Sequence, residues 1–593
     1  MSLQIWFPLN GTMKNQGLLG DLTETTSPTF VDGKMGKALS SGGCKMTAEQ
    51  TPKVLNNDEF SICFWIYVND AEGSTDNRYL IFGNDAMNQR QYSLFQYPSV
   101  NDLHWSWYNA GAASVLGGVL PSYTWTHVAI TYKNPNATIY INGEKTHTFT
   151  SSSTSDTYAY ETPVIHNNSA GTRYFNDYRV YNNCLSAKEV KEISKGLILH
   201  YKLGGYGGEN LALNSAPAST DYWTILYPEI WSKETVDCAE APLGKCIRVT
   251  YTGSTTPNGG IYNSHIGRDY FVDAEAYTIS CYARSNFDGL IITLNNEMQS
   301  GHHITLSPEW TYYTYTGTIS QSSTYSANVF YVVPASLSSG DYFEIHSLKI
   351  ERGTKATSWT PCKDDALYSS LGFNSGIEKD CSGFGNDGTL SGNILWDSES
   401  IRHEGSYRFD ESAYINCGTG AKVTDEITVN VWCYMDTWEA DPHPFSCTEG
   451  GGWNFESQNG QIKFPVYVSG SGYIVALSSK LWSDLSSGWH MFTGTYDGLT
   501  AKLYIDGNLE ATASTGSDTK TAIGYHSTNA IFIHAEAMYS ASSPTNDPYK
   551  ACKMSDARIY ATALSESDVK SLYDNIVSID KNGNIHAYDF KED

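Results

Sequence analysis

Hydrophobic and polar positions alternate along "FSICFWIYV" from Phe60. Phe60, Ile62, Phe64, Ile66 and Val68 fall on one face, and Cys63, Trp65 and Tyr67 on the other. One face is aliphatic and the other aromatic. The same two-residue period recurs in "ITVNVWCYM" from Ile427, where Asn430, Trp432 and Tyr434 share the second face. Short runs of this kind, punctuated by Gly, Asn, Asp and Ser, predict an all-β protein. Asn142-Gly143 and Asp506-Gly507 sit between apolar runs and predict two-residue hairpins, which need positive φ. Two short helices are expected after Ser186 and Ser565, with Glu189 and Asp568 placed to complete the N-terminal caps.

Four landmarks of the first 200 residues recur in order near the end of the chain. "FSICFWIYV" answers "ITVNVWCYM", "WTHVAITY" answers "WHMFTGTY", and "ATIYINGE" answers "AKLYIDGN". "DYRVYNNCLSAKEVKEI" from Asp177 answers "DARIYATALSESDVKSL" from Asp556. Nearly equal spacings imply one topology used twice. The second copy carries about 15 extra residues near "YSASSPTNDPYKACK". Strand-like segments between the copies, such as "AYTISCYARS" and "DYFEIHSLKIERG", predict a different antiparallel module, a jelly roll. The expected organisation is a β-sandwich over 1–196, a jelly roll over 197–362, a second sandwich over 363–575 and a terminal hairpin over 576–593.

Composition narrows the class of partner. The chain has 593 residues, more than one core usually supports, and 64 acidic against 38 basic residues give a net charge of −26. Such a surface repels nucleic acid and anionic membrane. The 12 cysteines fall singly, many in apolar strands, which predicts buried free thiols. Cys238 and Cys246 are the closest candidates for a disulfide. The start "MSLQIWFPLNG" lacks the pattern of a secretory signal and no apolar window is long enough to span a bilayer, so synthesis in the cytoplasm is expected.

"DCSGFGNDGTLSG" from Asp380, "GWHMFTGTYDGLTAKLYIDG" from Gly488 and "DARIYATALS" from Asp556 resemble the laminin-G-like domains of the concanavalin A-type lectin/glucanase superfamily. "SLKIERGTKATSWTP" from Ser347 resembles the end of a carbohydrate-binding jelly roll. The order lectin-like domain, jelly roll, lectin-like domain is similar to tail and surface proteins of phages of Gram-positive gut bacteria. The resemblance implies an all-β chain of two concanavalin A-like sandwiches flanking a jelly roll. It also implies a calcium ion in the third module, with Asp380, Asn386 and Asp556 as ligands and Asp177 as the first module's counterpart.

Glycan recognition needs aromatic faces beside polar side chains. The candidates are Trp65, Trp105, Trp107 and Tyr108 in the first module, Trp310 and Tyr312 in the second, and Trp432, Trp453, Tyr467 and Tyr525 in the third. The competing reading for each is core packing. No strand carries the alternating carboxylates of a glucanase, and GxSxG, HExxH and P-loop patterns are missing, so catalysis is not expected. The expected function is adhesion: a virion component of a tail fibre, tail tip or appendage that binds bacterial surface glycans. Its other partners would be virion proteins and further copies of itself. The alternative is capsid decoration or a purely structural virion role without glycan binding.

Overall fold

The computed structural model describes residues 3–50, 54, 59–68, 78–81, 92–97, 102–107, 115–150, 162–167, 173–204, 210–253, 259–264, 275–294, 302–318, 329–333, 337–354, 356–357, 359–362, 364–365, 376–397, 400–401, 405–438, 443–448, 450–536, 550–574, 576–579 and 585–588. The protein is almost entirely antiparallel β-structure. In the first module, Glu59–Val68 lies between Trp125–Lys133 and Arg173–Tyr181 at the centre of a nine-stranded sheet. In the third, Ile427–Met435 lies between Gly488–Tyr496 and Cys552–Tyr560 in an eight-stranded sheet. The middle module stacks two five-stranded sheets, one running Trp223–Leu226 to His302–Leu306 and the other Trp231–Asp237 to Thr311–Thr318.

Local chemistry explains these elements. Phe60, Ile62, Phe64, Ile66 and Val68 enter one apolar core, as their alternation requires, while Cys63 and Trp65 enter a different one. Both two-residue turns form, with φ of 50° and 78° at Asn142 and Gly143 and 51° and 75° at Asp506 and Gly507. Asn142 and Asp506 also cap the neighbouring strand, accepting from the backbone N–H of His127 and Met491. The helix Ala187–Ser194 opens on a reciprocal cap between Ser186 and Glu189, and Ser565 and Asp568 make the equivalent pair. Two strands, Ile576–Ile579 and Ile585–Tyr588, pair at the C-terminal end.

One boundary moves. Leu197–Tyr201, placed by the sequence reading at the start of the jelly roll, pairs with Cys552–Tyr560 and completes the third module's sheet. It repeats the opening strand Leu3–Phe7, which pairs with Arg173–Tyr181. Trp6 lies opposite Arg179 as His200 lies opposite Arg558, and both ladders slip by one residue after the first pair. Leu9 and Leu203 follow with left-handed φ of 60° and 49°. The third module therefore begins at residue 197, and the jelly roll is inserted after its first strand. Asn210 and Cys362 are bridge partners, so the insert enters and leaves at adjacent points.

The two lectin-like modules also share a core. Trp6, Met35, Trp65 and the helix residues Val190 and Ile193 pack in one cluster with Ile427, Val429, Trp453 and Phe492. Trp6 meets Phe384 edge-on at 6.4 Å, and a side chain at Gly383 would collide with the Trp6 indole. Fully buried apolar side chains contribute about 1.5–3 kcal/mol each, so this seam is a structural junction rather than a flexible link.

Candidate carbohydrate-binding surfaces

Several predicted site residues are structural. Trp65 and Trp432 are each 3% exposed. Trp65 packs beside His127 and the helix Ala187–Ser194. Trp432 stacks on Tyr573, 5.5 Å away, beneath Val569 and Leu572. The aromatic face of each central strand is thus covered by the helix that closes its module, because apolar helix residues need a surface to bury against. Trp453 is fully buried, edge-on to Phe445. Tyr467 and Tyr525 are held by protein contacts. Tyr467 packs on Gly524 and against Tyr473, and the Tyr525 hydroxyl donates to the Val423 carbonyl. Trp105 and Trp107 lie on the strand Asp102–Trp107. Their side chains, Tyr108 and most of the extra loop lie outside the described residues.

Most oxygens of the expected calcium ligands are already engaged by other groups, Asp177 Oδ2 excepted. Calcium needs several uncommitted oxygen ligands. Asp556 instead accepts from Arg558 at 2.9 Å and contacts His200 Nε2 at 2.8 Å. Asp177 accepts from Arg179 and Trp6 Nε1, both at 2.8 Å. These paired aspartates sit at matching bulges with positive φ, and the buried arginines supply the charge a metal would bring. Both Asp380 oxygens are occupied, by the backbone N–H groups of His200, Ser382 and Asn386 and by the Ser382 hydroxyl. Asn386 donates to the Ile198 carbonyl. The Asp380 loop thus clasps the strand Leu197–Tyr201. A separate cluster, His443, Glu456 and Glu536, brings three ligand atoms within 4.8 Å, but Glu456 is paired with Lys463 and Glu536 accepts from Thr448.

The middle module presents a surface that remains open. Its second sheet sends Ile247, Ile279, Ala283 and Ile345 into the core. The alternate positions form a row of direct cross-strand partners: Tyr312 opposite Tyr282, Tyr282 opposite His346, and Glu344 between Arg284 and Arg248. Tyr282 and Tyr312 are 39% and 43% exposed, with ring centroids 5.1 Å apart. Tyr282 stacks on His346 at 5.0 Å. Trp310 meets the same imidazole edge-on at 4.4 Å, and the Arg284 guanidinium lies 4.6 Å over Trp310.

Electrostatics fix this row. Glu344 is fully buried, yet Arg248 donates twice to its Oε1, at 2.8 and 2.6 Å, and Arg284 donates to its Oε2 at 2.6 Å. Burial pushes His346 down to about 4, so its ring stays neutral and serves as a stacking partner. Two half-exposed tyrosines, a tryptophan edge and two braced guanidinium groups thus form a preorganised platform. Rings of this kind take the apolar face of a sugar while the guanidinium N–H groups reach its hydroxyls. The sequence reading singled out Trp310 and Tyr312. It missed Tyr282, Arg248 and Arg284, although the alternation of "AYTISCYARS" places Tyr282 and Arg284 on one face.

Fold and surfaces together define a lectin-like β-sandwich protein with a sandwich insert. The chain belongs to the concanavalin A-like lectin/glucanases superfamily, whose model matches residues 41–191 and 409–570, more than half its length. No curated relative matches by sequence. Among solved structures it is similar to botulinum neurotoxin type C, in work on cell entry through two ganglioside molecules (12% identity, 90% of this chain and 98% of that one, TM-score 0.30). It is also similar to domain 4 of the arabinanase AbnA from Geobacillus stearothermophilus with arabinotriose (17%, 33% and 92%, 0.26). A third likeness is to the CBM40 of the Ruminococcus gnavus IT-sialidase with α2,3-sialyllactose (14%, 30% and 100%, 0.22). At these TM-scores the likenesses bear no weight on function.

Proposed function

We propose that this chain is a glycan-binding adhesion protein, a component of a phage tail tip, fibre or other appendage that adsorbs to glycans on a bacterial surface without acting on them chemically. The observation that carries the reading is the exposed Tyr282 and Tyr312 pair, braced by His346 and flanked by Trp310, Arg248 and Arg284. Exposed rings give up hydration readily to a sugar face, and their braced neighbours lose little freedom on binding. Membership of a lectin superfamily supports the same chemistry. The virion assignment rests on the order of the modules and on cysteines buried in apolar strands, which suit assembly in a reducing cytoplasm. Each site is shallow, so useful affinity comes from several copies on one particle.

The test is binding of the purified full chain to a glycan array and to host cells, beside the Tyr282→Ala/Tyr312→Ala double variant. Saturable binding by the parent that the double variant weakens about tenfold or more supports the reading, since each ring contributes up to about 1.5 kcal/mol. Equal binding by both proteins, or none by a well-folded parent, overturns it. Labelling intact particles with antibody to the chain tests the virion assignment. Failure to mark any tail or surface appendage overturns that part alone.

A further inference from the structure

A cleft of about 920 Å³ opens where the first module meets the third. The first module supplies an aromatic wall. Tyr67 is the direct cross-strand partner of both Tyr174 and Trp125. Its ring lies 5.6 Å from Tyr174 with planes only 6° apart, and 5.5 Å from Trp125. Tyr123, 57% exposed, stands at the lip. The third module supplies the facing wall from its loops, including Asp425, Glu426 and Lys520.

The charges of the lining balance, with four carboxylates against four ammonium groups, on a chain whose net charge is −26. Most are already matched. Lys520 holds Glu426, Lys195 holds Glu192 and Asp568, and Lys191 reaches Glu144. Among the described lining residues, Lys34 and Asp425 form no ion pair. Lys34 is only 7% exposed, and its ammonium lies 4.7 Å over the Trp65 ring. Burial lowers its pKa, and Glu426 and Asp425 across the module boundary act in the opposite direction. Tyr67 is raised first by burial and then by the Asp425 carboxylate facing it. Asp425 accepts a 3.3 Å hydrogen bond from the Thr424 hydroxyl at one oxygen. An aromatic wall, an ammonium group without an ion pair at its foot and a carboxylate without one opposite therefore converge on one space.

We infer that this cleft is a second carbohydrate site, completed only by the junction of the two lectin-like modules, and that it takes an uncharged oligosaccharide. A sugar ring has an apolar face and a rim of hydroxyls that both donate and accept. Tyr67, Tyr174 and Trp125 take the face, Lys34 donates to an oxygen, and Asp425 accepts from a hydroxyl. A lining without net charge gives no advantage to a carboxylated or sulfated sugar, and the surrounding negative surface disfavours both. The volume is near the top of the usual range of roughly 300–1,000 Å³ for small-molecule sites, room for more than one ring. The cleft shares no residue with the middle module's platform.

The experiment uses the full chain carrying Tyr282→Ala/Tyr312→Ala, which silences the platform. The probes are short neutral gluco-, manno- and galacto-oligosaccharides, with uronate- and sialic acid-containing oligosaccharides as charged comparators. Saturable binding of a neutral probe, accompanied by a change in tryptophan fluorescence, is the expected result. Adding Tyr67→Ala or Asp425→Ala weakens it about tenfold or more, as expected for loss of a stacking ring or of a hydrogen bond to a charged group. Asp425 is exposed, so its substitution leaves the fold intact and keeps the test valid if Tyr67→Ala misfolds. Binding by the parent that vanishes in the platform variant overturns the cleft and leaves the platform. A tenfold preference for a charged probe, or binding indifferent to both cleft substitutions, also overturns it. No glycan binding by any form overturns both sites.

Discussion

Deleting the middle module at two different boundaries tests where the third module begins. The shorter deletion removes 211–361 and joins Asn210 to Cys362 through a few Gly and Ser residues. Because those two residues are already bridge partners, a short flexible link spans them, and changing the loop length costs about 1 kcal/mol or less. The longer deletion removes 197–362 and takes away the strand Leu197–Tyr201. Leu197, Ile198, Leu199 and Tyr201 are at most 6% exposed, and at about 1.5–3 kcal/mol each their loss removes roughly 6–12 kcal/mol. Asp556 also loses its His200 partner, and the Asp380 loop loses the strand it clasps. A domain has only about 5–15 kcal/mol of stability in total, so the third module should unfold. Calorimetry and limited proteolysis, with fragments assigned by mass spectrometry, read the difference. The shorter deletion is expected to keep residues 376–574 resistant, and the longer one to expose them. Equal resistance of the two proteins would refute the insertion and the paired opening strands.

Two further outcomes follow from buried charge. Arg558→Met leaves the Asp556 carboxylate, only 2% exposed, without its cation and should cost about 3–5 kcal/mol. Adding Asp556→Asn, which removes the charge and tolerates the positive φ there, should recover most of that, and a loss under about 1 kcal/mol by denaturant titration would show that the pair is not the charge balance of the bulge. The modules should also respond oppositely to pH. His346 falls from 6.5 to about 4 through burial, so the middle module loses about 1.4 kcal/mol per unit as the pH drops from 6.5 towards 4, a slope that His346→Gln removes. Glu378 is raised by burial from 4.5 to about 7, so its contribution is full below 4.5 and lost as the pH rises through 7. Glu378→Gln should abolish that loss. Hydrogen exchange resolved by module, parent against variant, checks both, and unchanged slopes would contradict the burial argument.

Much of the fold is legible in residues read two at a time. The alternation from Phe60 to Val68 assigns the core face, and Asn142-Gly143 and Asp506-Gly507 mark turns whose φ only such residues adopt easily. The strand Leu197–Tyr201 was misplaced because "LILHY" leads straight into "KLGGYGGEN", which reads as the start of a new module. Its partner strand lies about 360 residues away. The residues proposed as metal ligands are taken up by other partners for a similar reason. Asp177 and Asp556 sit in sequence where a ligand could stand, but Arg179 and Arg558, two residues on, fold back onto them across a bulge.

The candidate sites divide along the same line. Sequence alone determined an all-β chain with one sandwich topology used twice, free thiols, and aromatic residues on the second face of each central strand, because side-chain direction in a strand is set by local geometry. Tertiary structure alone decided which of those rings meet solvent. The closing helices bury Trp65 and Trp432, whereas Tyr282 and Tyr312 stay open because nothing packs over their part of the sheet among the described residues. The cleft between the modules belongs wholly to tertiary structure, since Tyr67 and Asp425 are distant in the chain and become neighbours only when two apolar faces join to bury what neither module can cover by itself.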